Sequence, residues 1–194
     1  VLLILLLGAF LRFERIGERP MHTDEAVHAV KLSELLDTGV YQYDTRDYHG
    51  PTLYYLTVPV LWVCDATRLG DMEASMLRVV PAVFGVLLIV LVVGIADGLG
   101  WRAVLYAAVL TAVSPALVYY SRYYIQEMLL VLFGFAAIVA GWRYAQTRAW
   151  WWALAVGLSI GLMHATKETA VLSWAAMAGA LVLTMVWSQF RTGT

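Results

Sequence analysis

The sequence predicts an all-α polytopic membrane protein, and three observations carry that prediction. Of the 194 residues, 61% are hydrophobic and only 14% charged, at a mean hydropathy of +0.72, which is far too apolar for a soluble domain. Five stretches are free, or nearly free, of Asp, Glu, Lys and Arg: Val79 to Ala96, Ala103 to Ser121, Met128 to Trp142, Ala149 to Thr166 and Thr169 to Phe190. Each approaches the roughly 20 helical residues that a hydrocarbon core demands. A sixth apolar run, Val1 to Leu11, is shorter. The predicted spans are 1–12, 79–96, 103–121, 127–144, 149–166 and 169–190, forming one transmembrane domain with no internal repeat or flexible linker.

The chain opens inside the first apolar run, without Met, a basic flank or a small-residue cleavage site. That run is therefore expected to be a truncated spanning helix of a longer protein, not a signal peptide. After it comes a polar insert, residues 13–77. Asp24 is placed to cap a helix over 24–38, with Ala29, Leu32, Leu35 and Leu36 on one face, Lys31, Glu34 and Thr38 on the other, and Gly39 as the stop. Such a helix belongs at the membrane surface. A second helix over 51–64, TLYYLTVPVLWVC after Pro51, is too short to span, contains Pro59 and runs straight into Asp65; it reads as interfacial or re-entrant. The single Cys64 rules out an internal disulfide, and a net charge of −1 argues against a nucleic-acid partner.

If 51–64 does not span, the insert and the turns at Arg122 and Lys167 share one side. The other side receives Arg102, Arg143, Arg148 and Arg191 against Asp97 alone, whereas Arg12 to Arg78 holds seven basic and eleven acidic residues. The positive-inside rule makes the arginine side cytoplasmic. Three ionisable clusters then meet on the extracytoplasmic face: Asp24 and Glu25 with His22, His28 and His49; Arg122 with Glu127; and Lys167 with Glu168. Ionisable groups near membrane depth are expensive unless paired or put to use. Cations that hold a phosphate, beside an acid able to accept a proton, suit a phosphorylated lipid substrate.

Five stretches in order, HTDEAVHA, YHGPTLYYL, MLRVVPAVFG, SPALVYYSRYYIQE and GLSIGLMHATKETAVL, resemble the N-terminal half of membrane glycosyltransferases of the GT-C fold. The nearest resemblance is to the protein O-mannosyltransferase and aminoarabinose-transferase group, and within it to flippase-activity-associated archaeal and bacterial proteins. The resemblance implies a GT-C helix bundle with a long first extracytoplasmic loop carrying interfacial helices. It also implies transfer of a sugar from a polyprenyl-phosphate donor to a protein, lipid or glycan acceptor. It places the general base for the acceptor hydroxyl at Asp24, with Glu25 beside it as a further catalytic candidate, and the donor-phosphate contacts at Arg122 and Lys167. His49 takes an acceptor or supporting position, and is the one candidate ligand if a divalent metal is used. Glu127 stands where relatives carry Asp. The chemistry fits on its own terms: an acceptor must lose a proton as it attacks, a leaving phosphate needs its charge stabilised, and attack opposite the phosphate inverts the anomeric centre.

Plainer readings stand beside these. Asp24 and Glu25 suit a helix N-terminus, Arg122 and Glu127 a structural ion pair, and Lys167 and Glu168 a turn between helices. His22, His28 and His164 read as solvated or packed residues. Tyr119, Tyr120, Tyr123, Tyr124 and Trp150 to Trp152 read as interfacial belts, and Gly157 with Gly161 as a GxxxG packing pair. The alternative functions are a lipid-linked-sugar flippase or transporter, for which broken mid-membrane helices are expected but none is evident in the sequence, and a non-catalytic partner in a glycan pathway.

Overall fold

A computed structural model describes residues 1–44 and 49–192; Arg46 and Asp47 of the charge count, and Tyr48 of YHGPTLYYL, lie outside the described residues. Among the described residues there is no strand, and the elements follow as α1 (Leu2–Phe13), α2 (Thr23–Thr38), α3 (Thr52–Val63), α4 (Ala74–Val93), the short α5 (Ala96–Leu99), α6 (Trp101–Val113), α7 (Pro115–Ser121), α8 (Glu127–Thr147), α9 (Trp150–Thr166) and α10 (Ala170–Thr192). α4, α8 and α10 are long and apolar enough to cross a membrane; α6 and α7 make a fourth candidate if taken as one bent span. Leu3, Tyr106, Leu110, Leu154, Leu158, Leu172, Leu183 and Phe190 all stand more than 60% exposed, an apolar exterior that lipid and not water solvates. The protein is an all-α polytopic membrane protein.

The stretch 103–121, expected as one unbroken helix, is broken: α6 and α7 meet at 55°. Ser114 leaves helical geometry (φ −55, ψ 120), as a residue before proline does, and Pro115 opens α7 without an N–H to offer. The break strands carbonyls at the end of α6, and Arg12 of α1 meets them. Its Nη2 donates to Thr111 O at 3.0 Å, its Nη1 to Ala112 O at 2.9 Å and Gly8 O at 3.0 Å, and its Nε to Ser121 Oγ at 3.1 Å. Arg12 is fully buried. A guanidinium in an apolar bundle is tolerable only when its donors are matched in this way. Gly85 of α4 makes room: a Cβ there would stand 2.6 Å from Arg12 Nε and collide with Ser121 Oγ. Two of the carbonyls freed by the break are thus capped by a cation.

The insert is built onto the bundle. Leu32 and Leu35 of α2, Leu53 and Leu61 of α3, Leu77 and Val80 of α4, Tyr124 and Leu129 form one buried cluster, while Ile89, Val92, Val104, Ala108 and Ala112 join α4 to α6 in a second. α2 begins at Thr23, and its cap is His22, not Asp24: His22 Nδ1 accepts from Asp24 N, and the Glu25 carboxylate accepts from His22 N at 3.0 Å, a reciprocal box. Gly39 ends α2 at φ +73, as the sequence indicates.

Candidate active site

One end of the bundle gathers the end of α1, the start of α2, the start of α4, the 122–126 turn and the α9–α10 turn. Its structural centre is Glu25, only 1% exposed. Arg78 enters from α4 and donates Nε to Glu25 Oε1 at 2.7 Å and Nη2 to Oε2 at 2.8 Å. Its remaining N–H groups reach Ile16 O and Arg19 O, each at 2.9 Å, and Pro20 O at 3.3 Å. All five donors of that buried guanidinium are therefore used, and residues 16–25 are tied to α4. Arg19 adds a bond to Glu25 Oε2 at 2.9 Å, and Tyr124 N one to Oε1 at 2.9 Å. Burial alone would push the Glu25 carboxyl up, but the Arg78 hydrogen bonds, the amides of His22 and Tyr124 and the Arg78 charge outweigh it and hold it below its ordinary value. Glu25 is ionised and fully engaged, which fits a positioning carboxylate.

Asp24, one residue earlier, differs in kind. Its side chain is 60% exposed. One oxygen is held: Tyr123 Oη donates to Asp24 Oδ2 at 3.0 Å and lies 2.5 Å from His22 Nδ1. Burial, then the hydrogen bond and charge of Asp24, push the Tyr123 phenol well above its ordinary value, so it stays a donor at neutral pH. Arg122 ties the turn to the end of α1 and the residues after it: its Nη1 donates to Leu11 O at 2.9 Å and its Nη2 to Arg15 O at 3.2 Å.

The second half of the site is at the end of α9. Lys167 Nζ meets Glu127 Oε1 at 2.6 Å. Glu127 Oε2 and both polar side-chain atoms of the fully buried Gln126 have no partner among the described residues, leaving unmet polar atoms beside the lysine. The segment carrying His49 caps α9, whose last carbonyls have no helical donors. Gly50 N donates to Thr166 O at 3.1 Å, Thr52 Oγ1 donates to Ala165 O at 2.6 Å, and His49 pairs with Lys167 in an antiparallel bridge. A Cβ on Gly50 would collide with the Ala165 carbonyl. Because the obstacle is backbone, Gly50→Ala is expected to lower stability by about 1–3 kcal/mol and to displace His49 from Lys167. Thermal unfolding of the two proteins in the same detergent checks it; an unchanged midpoint means that the cap yields without cost.

Contacts run continuously between the two halves: Glu25 to Tyr124, the His28 ring 6.4 Å from Tyr124 and 5.5 Å from His49, and His49 to Lys167. His28 is 4% exposed and its Nδ1 lies 2.8 Å from Tyr54 Oη, so it is a packed residue. The three clusters read from the sequence share this end of the bundle. Asp97 and Arg143, paired at 2.9 Å, occupy the other. Among the described residues no three His, Cys, Asp or Glu side chains gather to hold a metal ion. Sequence reasoning passed over Arg19 and Arg78 as site residues. Arg78 had a visible signal, a lone cation a few residues into a long and strongly apolar helix.

No individually curated protein matches the chain. Residues 59–193, most of its length, match the family described as dolichyl-phosphate-mannose-protein mannosyltransferase; the matched region includes Arg78, Arg122, Glu127 and Lys167 and begins after Asp24, Glu25 and His49. With an all-α polytopic membrane fold and the order of motifs already given, that match settles the family: the chain belongs to the dolichyl-phosphate-mannose-protein mannosyltransferases, membrane glycosyltransferases of the GT-C type.

Proposed function

We propose that this chain carries the active site of a glycosyltransferase that moves a sugar from a polyprenyl-phosphate donor to an acceptor hydroxyl at the extracytoplasmic face, with inversion. The observation that carries the reading is the convergence of Asp24, Arg122, Glu127 and Lys167 on one end of the bundle, with Asp24 exposed while its neighbour Glu25 is locked. Asp24 takes the acceptor proton on its exposed oxygen, with the other oxygen fixed by Tyr123. The acceptor oxygen bonds to the anomeric carbon as the carbon–oxygen bond to phosphate breaks, and polyprenyl phosphate leaves with the bonding pair. Lys167 meets the charge that develops on it, exchanging Glu127 for phosphate, and Arg122 adds a fixed positive charge behind the site.

Two further features support the reading. The end bearing Asp97 also carries Arg102, Arg143 and Arg148, which favours that end as cytoplasmic and the Asp24 end as extracytoplasmic. An apolar cleft of about 750 Å³ runs between α8, α9 and α10, lined from Ile160 and Trp174 down to Trp142 and Thr184. Its upper lining lies about 10 Å along either helix from Lys167, so a lipid whose phosphate sits at Lys167 has a place for its chain.

The test is transfer of radiolabelled sugar from a polyprenyl-phosphate donor by membranes holding the full-length protein. Product that depends on the protein supports the reading. Donor translocation in proteoliposomes lacking any acceptor, with no transfer, replaces it by the flippase alternative.

A further inference from the structure

We propose that His22 is a positioning residue for the base: acting through the Tyr123 hydroxyl, it aims the Asp24 carboxylate at the acceptor. The consequence for transfer rests on Asp24 being the base; the hydrogen-bonded chain does not. Three observations carry it.

The first is how loosely Asp24 is otherwise held. Its side chain is 60% exposed, and among the described residues the Tyr123 hydroxyl is the one hydrogen-bond donor to its carboxylate, at 3.0 Å. A general base works only while a lone pair faces the proton it takes, so an exposed carboxylate needs something to orient it.

The second is a count of hydrogens. Tyr123 Oη also lies 2.5 Å from His22 Nδ1, too close for anything but a hydrogen bond. The phenol has one hydrogen to give, and burial and the Asp24 charge keep it on the oxygen. If Nδ1 is bare, it takes that hydrogen and Asp24 receives none. If Nδ1 carries a hydrogen, it donates to Tyr123, and the phenol hydrogen goes to Asp24. Both contacts are then met in one direction. The other claimant on Nδ1 is Asp24 N, at 3.3 Å, where the ring caps α2. That contact is the longest of the three and lies at an exposed helix start, where water can stand in. One nitrogen thus serves either the cap or the base, and the count favours the chain from His22 through Tyr123 to Asp24. The His22 side chain is 54% exposed, so solvent can supply the hydrogen.

The third is that both partners are fixed. His22 N donates to Glu25 Oε2 at 3.0 Å, and Glu25 is clamped by Arg78. Tyr123 is 6% exposed, and its ring meets that of His22 edge-on at 5.5 Å between centres. The buried Glu25–Arg78 pair therefore sets the ring that sets the phenol that sets the base: the carboxylate that is locked positions the one that works.

The experiment measures the kinetics of the full-length protein in nanodiscs with a polyprenyl-phosphate sugar donor. His22→Ser keeps a favoured helix cap but is too short to reach Tyr123. It is expected to lower kcat by about 10- to 100-fold, the range for losing a hydrogen bond to a charged group, with donor KM and melting temperature unchanged. His22→Asn, which also caps and whose amide can donate from near the Nδ1 position, recovers most of that loss. Tyr123→Phe loses as much as His22→Ser, and the double variant loses no more than either, because the two residues act in series. A cap role alone predicts wild-type turnover in both His22 variants; that result overturns the proposal, as do losses that multiply in the double variant. Nitrogen-15 NMR of the histidine-labelled wild-type protein at the assay pH reads the chain directly, with the His22 signal identified by its loss in His22→Asn. A hydrogen on Nδ1 supports the chain and a bare Nδ1 overturns it, whether or not His22→Ser folds. That measurement needs no sugar transfer. A hydrogen-bearing Nδ1 in a protein that transfers no sugar leaves the chain standing and sinks the glycosyltransferase reading alone; transfer with a bare Nδ1 does the reverse.

Discussion

Asp24→Asn is expected to abolish sugar transfer, by about 10² to 10⁴ in kcat, the usual contribution of a positioned general base, with donor KM unchanged. The substitution preserves shape: an amide oxygen still accepts the Tyr123 hydroxyl that now lies 3.0 Å from Oδ2. The His22 and Glu25 box that starts α2 does not use the Asp24 side chain. What the helix loses is an anion in its first turn, a matter of about 0.3–1 kcal/mol, so protein level and melting temperature should stay close to wild type. The measurement is transfer of labelled sugar with protein quantified in the same membranes. Equal turnover by the two proteins rejects Asp24 as the base. Glu25→Gln is the contrast that makes the result interpretable, because loss of that buried carboxylate acts through folding.

Much of this arrangement was legible in the sequence. Charge-free runs marked the helices, and Gly39 marked the end of α2. Such features depend on composition, local conformation and counting, which a single chain carries in its order of residues. The break at Ser114 was legible in principle through Pro115, but an apolar run hides a bend when only hydropathy is summed. What was not legible depends on partners far along the chain. Arg12 reads as the flank of a helix until it is seen under carbonyls 99 and 100 residues away. Of two adjacent carboxylates, nothing local says that Glu25 is locked by Arg78, 53 residues on, while Asp24 stays exposed. His22 takes the place of Asp24 as the cap because its ring nitrogen accepts from the Asp24 amide while its own N–H is met by the Glu25 carboxylate. The two carbonyl acceptors that hold Arg122, on Leu11 and Arg15, lie more than 100 residues back and were likewise invisible.

Arg78→Met is expected to destabilise the protein by about 3–5 kcal/mol, the range for removing one partner of a buried ion pair. The substitution keeps apolar length but strands the carbonyls of Ile16, Arg19 and Pro20 and leaves Glu25 with Arg19 and two amides. Arg78→Lys should rescue little, since an ammonium has three donors where five are used. The pH dependence separates a lost ion pair from general damage. In the wild-type protein the Glu25 pKa lies below its ordinary 4.5, so its contribution is present above about pH 4.5 and is lost as pH falls through the lower folded value. Without Arg78, the burial that opposes this shift is no longer outweighed by the Arg78 hydrogen bonds. Acid then relieves the stranded carboxylate, and the slope of stability against pH should flatten or reverse in this range. By the same logic Arg78→Met with Glu25→Gln should melt higher than Arg78→Met alone, because a neutral amide is cheaper to leave half-paired than a carboxylate. Thermal unfolding of the three proteins between about pH 4 and 7 decides the matter: additive losses at every pH would mean that Arg78 supports the fold by packing, and that the carboxylate beside Asp24 is not held by charge.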